Sequence, residues 1–296
     1  MRKFINTVGS DWADNVVGSL WMIAAMAVFS IEDAFIKSAA QMLPIGEVLV
    51  LFGLGGMIIF AGKLRLKREP LFVIDVLSYP MIIRMVFEVV GRLFYVLAIA
   101  FIPLSAATVI LQATPLVVVA GAVLIFGENV GWRRWIAIVV GLIGVIVIIQ
   151  PGTESFSGLS LLAIIGMLGF AGRDLASRAT PKSIDTSRLG FYGFLSILIA
   201  GSIYALWTGE SFVVPEKEAF FVIFCAATTG VVAYSCLMIA MRTGEISAVT
   251  PFRYTRLIFG VMLGVFFFGE VVSFSMLVGA ALIVLSGLFI GLSNKK

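Results

Sequence analysis

Apolar stretches of about 20 residues recur along this chain with only short breaks between them, and no other feature constrains the fold as strongly. A helix needs roughly 20 predominantly apolar residues to cross the hydrocarbon core of a bilayer. Ten such stretches are read: Val16–Ala40, Ile45–Gly62, Tyr79–Ile102, Leu104–Phe126, Trp132–Gln150, Leu159–Ser177, Leu189–Trp207, Ala219–Met241, Ile246–Phe268 and Val272–Leu292. The breaks carry turn chemistry, as at Leu43-Pro44, Lys63–Glu69, Ile102-Pro103, Gly127-Glu128, Pro151-Gly152, Pro181-Lys182, Gly209-Glu210, Thr243-Gly244 and Gly269-Glu270. Composition agrees: 60% of the residues are hydrophobic and 13% charged, against about 25% charged in soluble domains. The expectation is an all-α membrane protein of ten transmembrane helices.

Several chemistries are excluded at once. The chain has no histidine, so histidine metal sites, Ser-His-Asp triads and histidine proton relays are ruled out. Neither a metal site nor a cofactor is expected. Cys225 and Cys236 lie on one span about three turns apart, roughly 16 Å at 1.5 Å per residue, too far to bridge. No cleavable signal peptide is expected, because Asp11 and Asp14 precede a first span too long for a signal core.

Basic residues fix the orientation. Arg2, Lys3, Lys63, Arg65, Lys67, Arg68, Arg133, Arg134, Arg178, Lys182, Arg188, Arg242, Lys295 and Lys296 collect on one side, and only Lys37 and Lys217 on the other. The positive side is the cytoplasmic side, so both termini are expected in the cytoplasm of a bacterial inner membrane. The same asymmetry explains the net charge of +4, and nothing is left to suggest nucleic acid as a partner. The expected partners are the lipid bilayer and a small-molecule substrate such as an amino acid. The oligomeric state stays open, with a monomer compatible.

The chain also repeats itself. Ser105-Ala106-Ala107-Thr108 through Phe126-Gly127-Glu128 aligns without a gap with Ser247-Ala248-Val249-Thr250 through Phe268-Gly269-Glu270. Met26, Phe29, Asp33 and Lys37 align with Met167, Phe170, Asp174 and Arg178. Each half is therefore a five-span unit, and an odd count inserts the second copy upside down. Inverted repeats of this kind are typical of secondary transporters. The expected organisation is a cytoplasmic segment 1–15, a first repeat 16–152, a second repeat 153–292 and a tail 293–296.

These residues resemble a known family. The motifs are Ala113-Thr114-Pro115, Phe126-Gly127-Glu128, Arg133-Arg134-Trp135, Gly141–Val145 and Gln150-Pro151-Gly152 in the first half. In the second they are Thr250–Tyr254, Phe268-Gly269-Glu270 and Gly279–Ile283. Each half is similar to an EamA repeat of the drug/metabolite transporter superfamily. The resemblance implies ten helices, alternating access and transport of small metabolites. It also implies kinship with bacterial exporters of amino acids, including aromatic ones, and of cationic drugs.

Charge inside a span costs ~2.5–3.5 kcal/mol or more, so the deep charges are the candidate functional residues. Glu32, Asp33, Arg84, Glu88, Arg173 and Asp174 are candidates for gating or coupling. Arg92, Tyr95, Gln112, Tyr234, Arg253, Tyr254 and Arg256 are candidates for substrate binding. Arg84, Glu88 and Arg92 share one helix face and are expected to pair there. Asp33 and Asp174 fall at mirrored depths, as two gates would. Arg256 and Arg253 align with Thr114 and Leu111, so symmetry breaks at the midplane. Five deep arginines face four deep acids, which predicts one arginine free for a substrate carboxylate. Trp21 and Phe29 join the tyrosines as candidate cavity aromatics. Pro115 and Pro251 are expected to bend their helices. Glu128 and Glu270 are expected to close tight turns, and Gly53, Gly56, Gly260 and Gly264 to allow close packing.

The leading function is a secondary transporter exporting small metabolites, most of all amino acids. The alternatives are a multidrug or organic-cation exporter and an uptake carrier of the same fold. An intramembrane enzyme lacks a nucleophile-base pair or metal cage, and alternating charges would block a channel.

Overall fold

A computed structural model describes residues 2–126, 131–150, 157–181, 183–243 and 249–292. Among them the regular structure is entirely helical. The helices are α1 (Arg2–Ala39), α2 (Ile45–Leu66), α3 (Tyr79–Phe101), α4 (Leu104–Leu111), α5 (Thr114–Phe126) and α6 (Trp132–Ile149). They continue with α7 (Ser160–Arg178), α8 (Thr186–Thr208), α9 (Lys217–Arg242), α10 (Thr255–Phe268) and α11 (Phe274–Leu292). Short 3₁₀ turns occupy Ile74–Leu77 and Thr250–Tyr254.

Local chemistry explains the boundaries. Pro44 and Pro103 stand immediately before α2 and α4, where a missing N–H costs nothing. Asp185 caps α8 by accepting from the N–H groups of Ser187 and Arg188. Gly209 and Gly269 end α8 and α10 at φ 68° and 62°, a backbone that glycine adopts freely. Two expected spans are interrupted. Leu104–Phe126 divides at Gln112-Ala113 into α4 and α5, with Pro115 in the first turn of α5, and Ile246–Phe268 starts as a 3₁₀ turn carrying Pro251. Helix α1 runs back to Arg2 rather than starting at Val16.

Six helical stretches are each long and apolar enough to cross a bilayer: Asp14–Ala39, Ile45–Leu66, Leu104–Ile125, Ser160–Ser177, Thr186–Thr208 and Lys217–Ala240. Trp135–Ile149 and Phe274–Ser286 are apolar but shorter. Helix α3 has the length but carries Arg84, Glu88 and Arg92. The chain is thus a multi-pass membrane protein.

The strongest packing joins the first half of the chain to the second: α1 with α9, α2 with α8, α3 with α7, and α6 with α11. The α2–α8 pair runs antiparallel, because Gly46 meets Ala205, Gly53 meets Leu198 and Gly56 meets Phe194. A Cβ on Gly53 would lie 2.5 Å from the Leu198 nitrogen, so this close approach tolerates no side chain. The α4–α10 contact uses Gly260 in the same way, against Thr108. The buried core runs through these pairings, with Phe52, Phe60, Tyr95, Leu104 and Ile110 all fully enclosed.

Candidate functional site

The deep charges gather on four elements that face one another: α1, α3, α7 and the broken region leading into α10. The α3–α7 crossing is set by two glycines. A Cβ on Gly169 would fall 2.4 Å from the Gly91 Cα, so only glycine lets the backbones meet. One turn from Gly91 lies Glu88, and one turn from Gly169 lies Arg173. Their side chains therefore face across the crossing.

One cluster centres on Asp33. Its Oδ2 accepts from Arg256 Nη2 at 2.6 Å and from the Tyr95 hydroxyl at 3.1 Å. Beside it on α1, Glu32 Oε1 accepts from Arg92 Nη1 at 2.7 Å. Each guanidinium also lies over two rings. Arg92 lies 5.4 Å from the Phe52 centroid and 5.8 Å from Phe170. Arg256 lies 5.1 Å from Phe29 and 5.8 Å from Tyr95. Tyr95 and Phe170 themselves meet edge to face at 5.8 Å, so the two compartments share a wall.

A second cluster centres on Asp174; its α3 member, Glu88, lies two turns or roughly 10 Å before Tyr95 along that helix. Arg173 bonds Asp174 Oδ1 at 2.8 Å and Glu88 Oε1 at 3.3 Å. Arg253 stands 3.7 Å from Asp174 Oδ2, and Arg84 stands 3.6 Å from Glu88 Oε2. Arg84 also donates to Ser177 Oγ at 3.1 Å. The two clusters differ in access. The Asp33 and Arg256 side chains are 1% and 14% exposed, whereas Asp174 and Arg253 are 21% and 28% exposed.

The helix breaks touch each other here. Gln112, at the end of α4, donates from Nε2 to the Arg253 carbonyl at 3.1 Å. Broken helices free backbone polar groups inside the bundle and commonly mark transporter sites. Arg256 sits in the first turn of α10, directly after its break.

The structure revises several expectations. Arg92 does not pair with Glu88; it reaches Glu32 on α1 instead, because Phe52 and Phe170 flank it. No deep arginine is free, since Glu88 and Asp174 each serve two arginines and absorb the surplus. Tyr254 is buried with its hydroxyl unpaired among the described residues. Tyr234 packs edge to face on Phe60 at 5.7 Å, within electrostatic reach of Glu88 and Asp174. Trp21 is exposed on the outside of the bundle. Glu128 lies outside the described residues, and nothing is described of the Arg178 side chain. Both cysteines are free thiols. A recess of about 540 Å³ lined by Ile58, Ala61, Gly62, Arg65, Glu69 and Leu71 lies at the end of α2.

Glu270 closes its turn as expected, its N–H bonding the Gly264 carbonyl at 3.1 Å, but its carboxylate and Lys37 also make contacts that the sequence did not reveal. Glu270 accepts from the N–H groups of Leu104 and Ser105 at 2.6 and 2.9 Å, and from the Ser105 hydroxyl at 2.7 Å. It caps the start of α4 from the other half of the chain. Lys37 stands 3.6 Å from it and donates to the Ile99 and Ile102 carbonyls at 2.9 Å. Gly264 leaves the room, since a Cβ there would lie 2.4 Å from Glu270 Oε2. Lys37 near the end of an apolar span was the available signal.

Known proteins share this plan. The chain is 26% identical over 285 residues to the S-adenosylmethionine uptake transporter of Rickettsia prowazekii, covering 94% of each. It is 27% identical over 282 residues to the riboflavin transporter of Rhizobium johnstonii, covering 93% and 91%. It is 27% identical over 287 residues to the pseudopaline exporter CntI of Pseudomonas aeruginosa, covering 94% and 96%. A solved crystal structure matches the fold with a TM-score of 0.68 at 17% identity, over 94% of this chain and 99% of that one. The EamA-like transporter family matches residues 16–150 and, a second time, residues 158–292. With one family unit in each half and a charged centre between them, the chain belongs to the EamA-like transporter family and is a membrane transporter of small molecules, not an enzyme.

Proposed function

We propose that this protein is a secondary transporter that exports small metabolites, most of all amino acids, by alternating access of two inverted five-helix halves. Ten membrane crossings, units at 16–152 and 153–292 and cytoplasmic termini belong to the same reading. The observation that carries it is the Asp33–Arg256 pair, which ties the two halves together at 2.6 Å between the broken helix and α1. Support for the inverted arrangement comes from the helix pairing, which is unchanged when the halves are exchanged: α1–α9 becomes α7–α3, while α2–α8 and α6–α11 each map onto themselves.

In this mechanism Asp33 and Asp174 belong to opposite gates. The Asp33 gate faces outward and is the closed one here. The Asp174 gate faces the cytoplasm, and its greater side-chain exposure supports reading it as the more open of the two. Glu32, Glu88, Arg84 and Arg173 complete the gates. Arg92, Tyr95, Gln112, Tyr234, Arg253, Tyr254 and Arg256 surround the substrate between them. Energy comes from a solute gradient, with carboxylates such as Glu32, Asp33, Glu88 and Asp174 as the only side chains suited to carry protons.

Uptake by the same cycle is a second reading. It is favoured by the relatives, which include an uptake transporter and an exporter at similar identity. Direction is then set by the gradient.

Liposomes containing the purified protein and labelled amino acids test the proposal. Arg256→Lys keeps the charge but loses the planar fork that grips a carboxylate at two points. Transport per mole of folded protein is expected to fall by about tenfold or more, the worth of a charge-assisted bond. Unchanged kinetics would remove Arg256 from the substrate. A C-terminal alkaline phosphatase fusion is expected to be inactive and a green fluorescent protein fusion bright. The reverse pattern would undo the even span count.

A further inference from the structure

We propose that the substrate is a zwitterion whose positive end is a bulky, weakly hydrated cation, received by the compartment that Arg92 now fills. The proposal deepens the transporter reading and rests on it. The Arg92 guanidinium lies over the Phe52 and Phe170 rings, at 5.4 and 5.8 Å from their centroids, and bonds Glu32 at 2.7 Å. Two rings and a carboxylate form a cation cage, and here the protein's own guanidinium occupies it.

The occupancy is incomplete. Glu32 is fully buried, yet its Oε2 has no hydrogen-bond partner among the described residues, and Arg92 Nε has none either. The neighbouring pair shows the same pattern at Asp33 Oδ1 and Arg256 Nε. Each pair uses one oxygen of its acid and a terminal nitrogen of its arginine, and leaves the second oxygen and the Nε unpaired.

Charge balance then selects the ligand. At this place the charges are matched one to one, Arg92 with Glu32 and Arg256 with Asp33. A substrate carboxylate that takes Arg92 strands Glu32 in a low-dielectric interior. A substrate cation that takes Glu32 strands Arg92. Either result is costly. A zwitterion exchanges partners instead: its carboxylate takes the guanidinium, its cation takes Glu32 and the ring faces, and no charge is left alone. Ring faces favour a cation that sheds water easily, such as a trimethylammonium or sulfonium group, over a compact ammonium.

Calorimetry on the purified full-length protein tests this with ω-trimethylammonium carboxylates of increasing chain length. Each is compared with the alkyltrimethylammonium and the fatty acid of matching length. At least one zwitterion is expected to bind about tenfold or more tighter than both singly charged analogues. Glu32→Gln leaves Arg92 without its acid, so the carboxylate-only compounds are expected to gain affinity. Arg92→Gln is expected to bring the gain to the cation-only compounds. A purely structural ion pair would give neither gain. Equal binding of a singly charged analogue by the unaltered protein would overturn the proposal. So would carboxylate binding that strengthens as pH falls, because a proton would then neutralise Glu32. Vesicles that transport another solute without competition from any zwitterion would overturn the proposal and leave the transporter reading standing. Vesicles that transport nothing would remove both.

Discussion

The Asp33 and Asp174 clusters occupy aligned positions in the two halves, yet they are built differently. Asp33 holds one arginine by one short bond, with a tyrosine hydroxyl beside it and almost no exposure. Asp174 shares its load: Arg173 also reaches Glu88, and Glu88 also reaches Arg84. A single buried pair is brittle, because losing one member leaves a bare charge in a dry interior. A chain of pairs at a wetter site gives way gradually. The comparison teaches that a repeated scaffold can place like residues at like positions and still make one cluster tight and the other compliant.

The sharpest way to break this comparison is Asp33→Ala. It leaves Arg256 buried without its carboxylate, and removing one partner of a buried pair costs about 3–5 kcal/mol. A marked fall in unfolding temperature of the purified protein is expected. With Cys225 and Cys236 replaced by serine, a reporter cysteine at Ser30 is also expected to label faster from outside. Unchanged stability would mean that water already solvates Arg256.

The next effect concerns what holds the clusters in register. Gly169→Ala drives a methyl group into the Gly91 backbone, and overpacking of this kind costs about 1–3 kcal/mol. Because the strain falls at the α3–α7 crossing, the Glu88–Arg173 contact is expected to loosen, with transport falling more than stability. Gly62→Ala, which meets nothing within 4 Å, is the control. Equal behaviour of the two would dismiss the crossing as a determinant.

The smallest effect is expected for Asp174→Ala. Arg173 keeps Glu88, and exposure lets water take up the rest, so about 1 kcal/mol or less is expected. Labelling of a reporter cysteine beside Asp174 should rise only slightly, since the side chains there are already partly exposed. A loss as large as that of Asp33→Ala would erase the distinction between the two clusters.

The sequence showed the helices better than the contacts. Pro44, Pro103, Gly209 and Gly269 mark real boundaries because proline and glycine act locally, through their own backbone. The division at Gln112 and the 3₁₀ start at Thr250 were less visible, although Pro115 and Pro251 pointed to them. Pairing was harder. Spacing on α3 put Arg92 on the same face as Glu88, but spacing within one helix says nothing about a carboxylate on another. Glu32 won because α1 lies alongside and two phenylalanines steer the guanidinium toward it. No arginine is left without a contact because one carboxylate has two oxygens: Glu88 and Asp174 contact three arginines between them, and the surplus positive charge is spread over that cluster.

Glu270 binds the start of α4 from 165 residues further along the chain. Ribosomes make chains in order, so α4 enters the membrane long before its cap exists. Until Glu270 is synthesised, Leu104 and Ser105 present bare N–H groups, and Lys37 waits without its carboxylate. The first half is therefore an unfinished object rather than a smaller transporter, and its completion is timed by translation of the final turn.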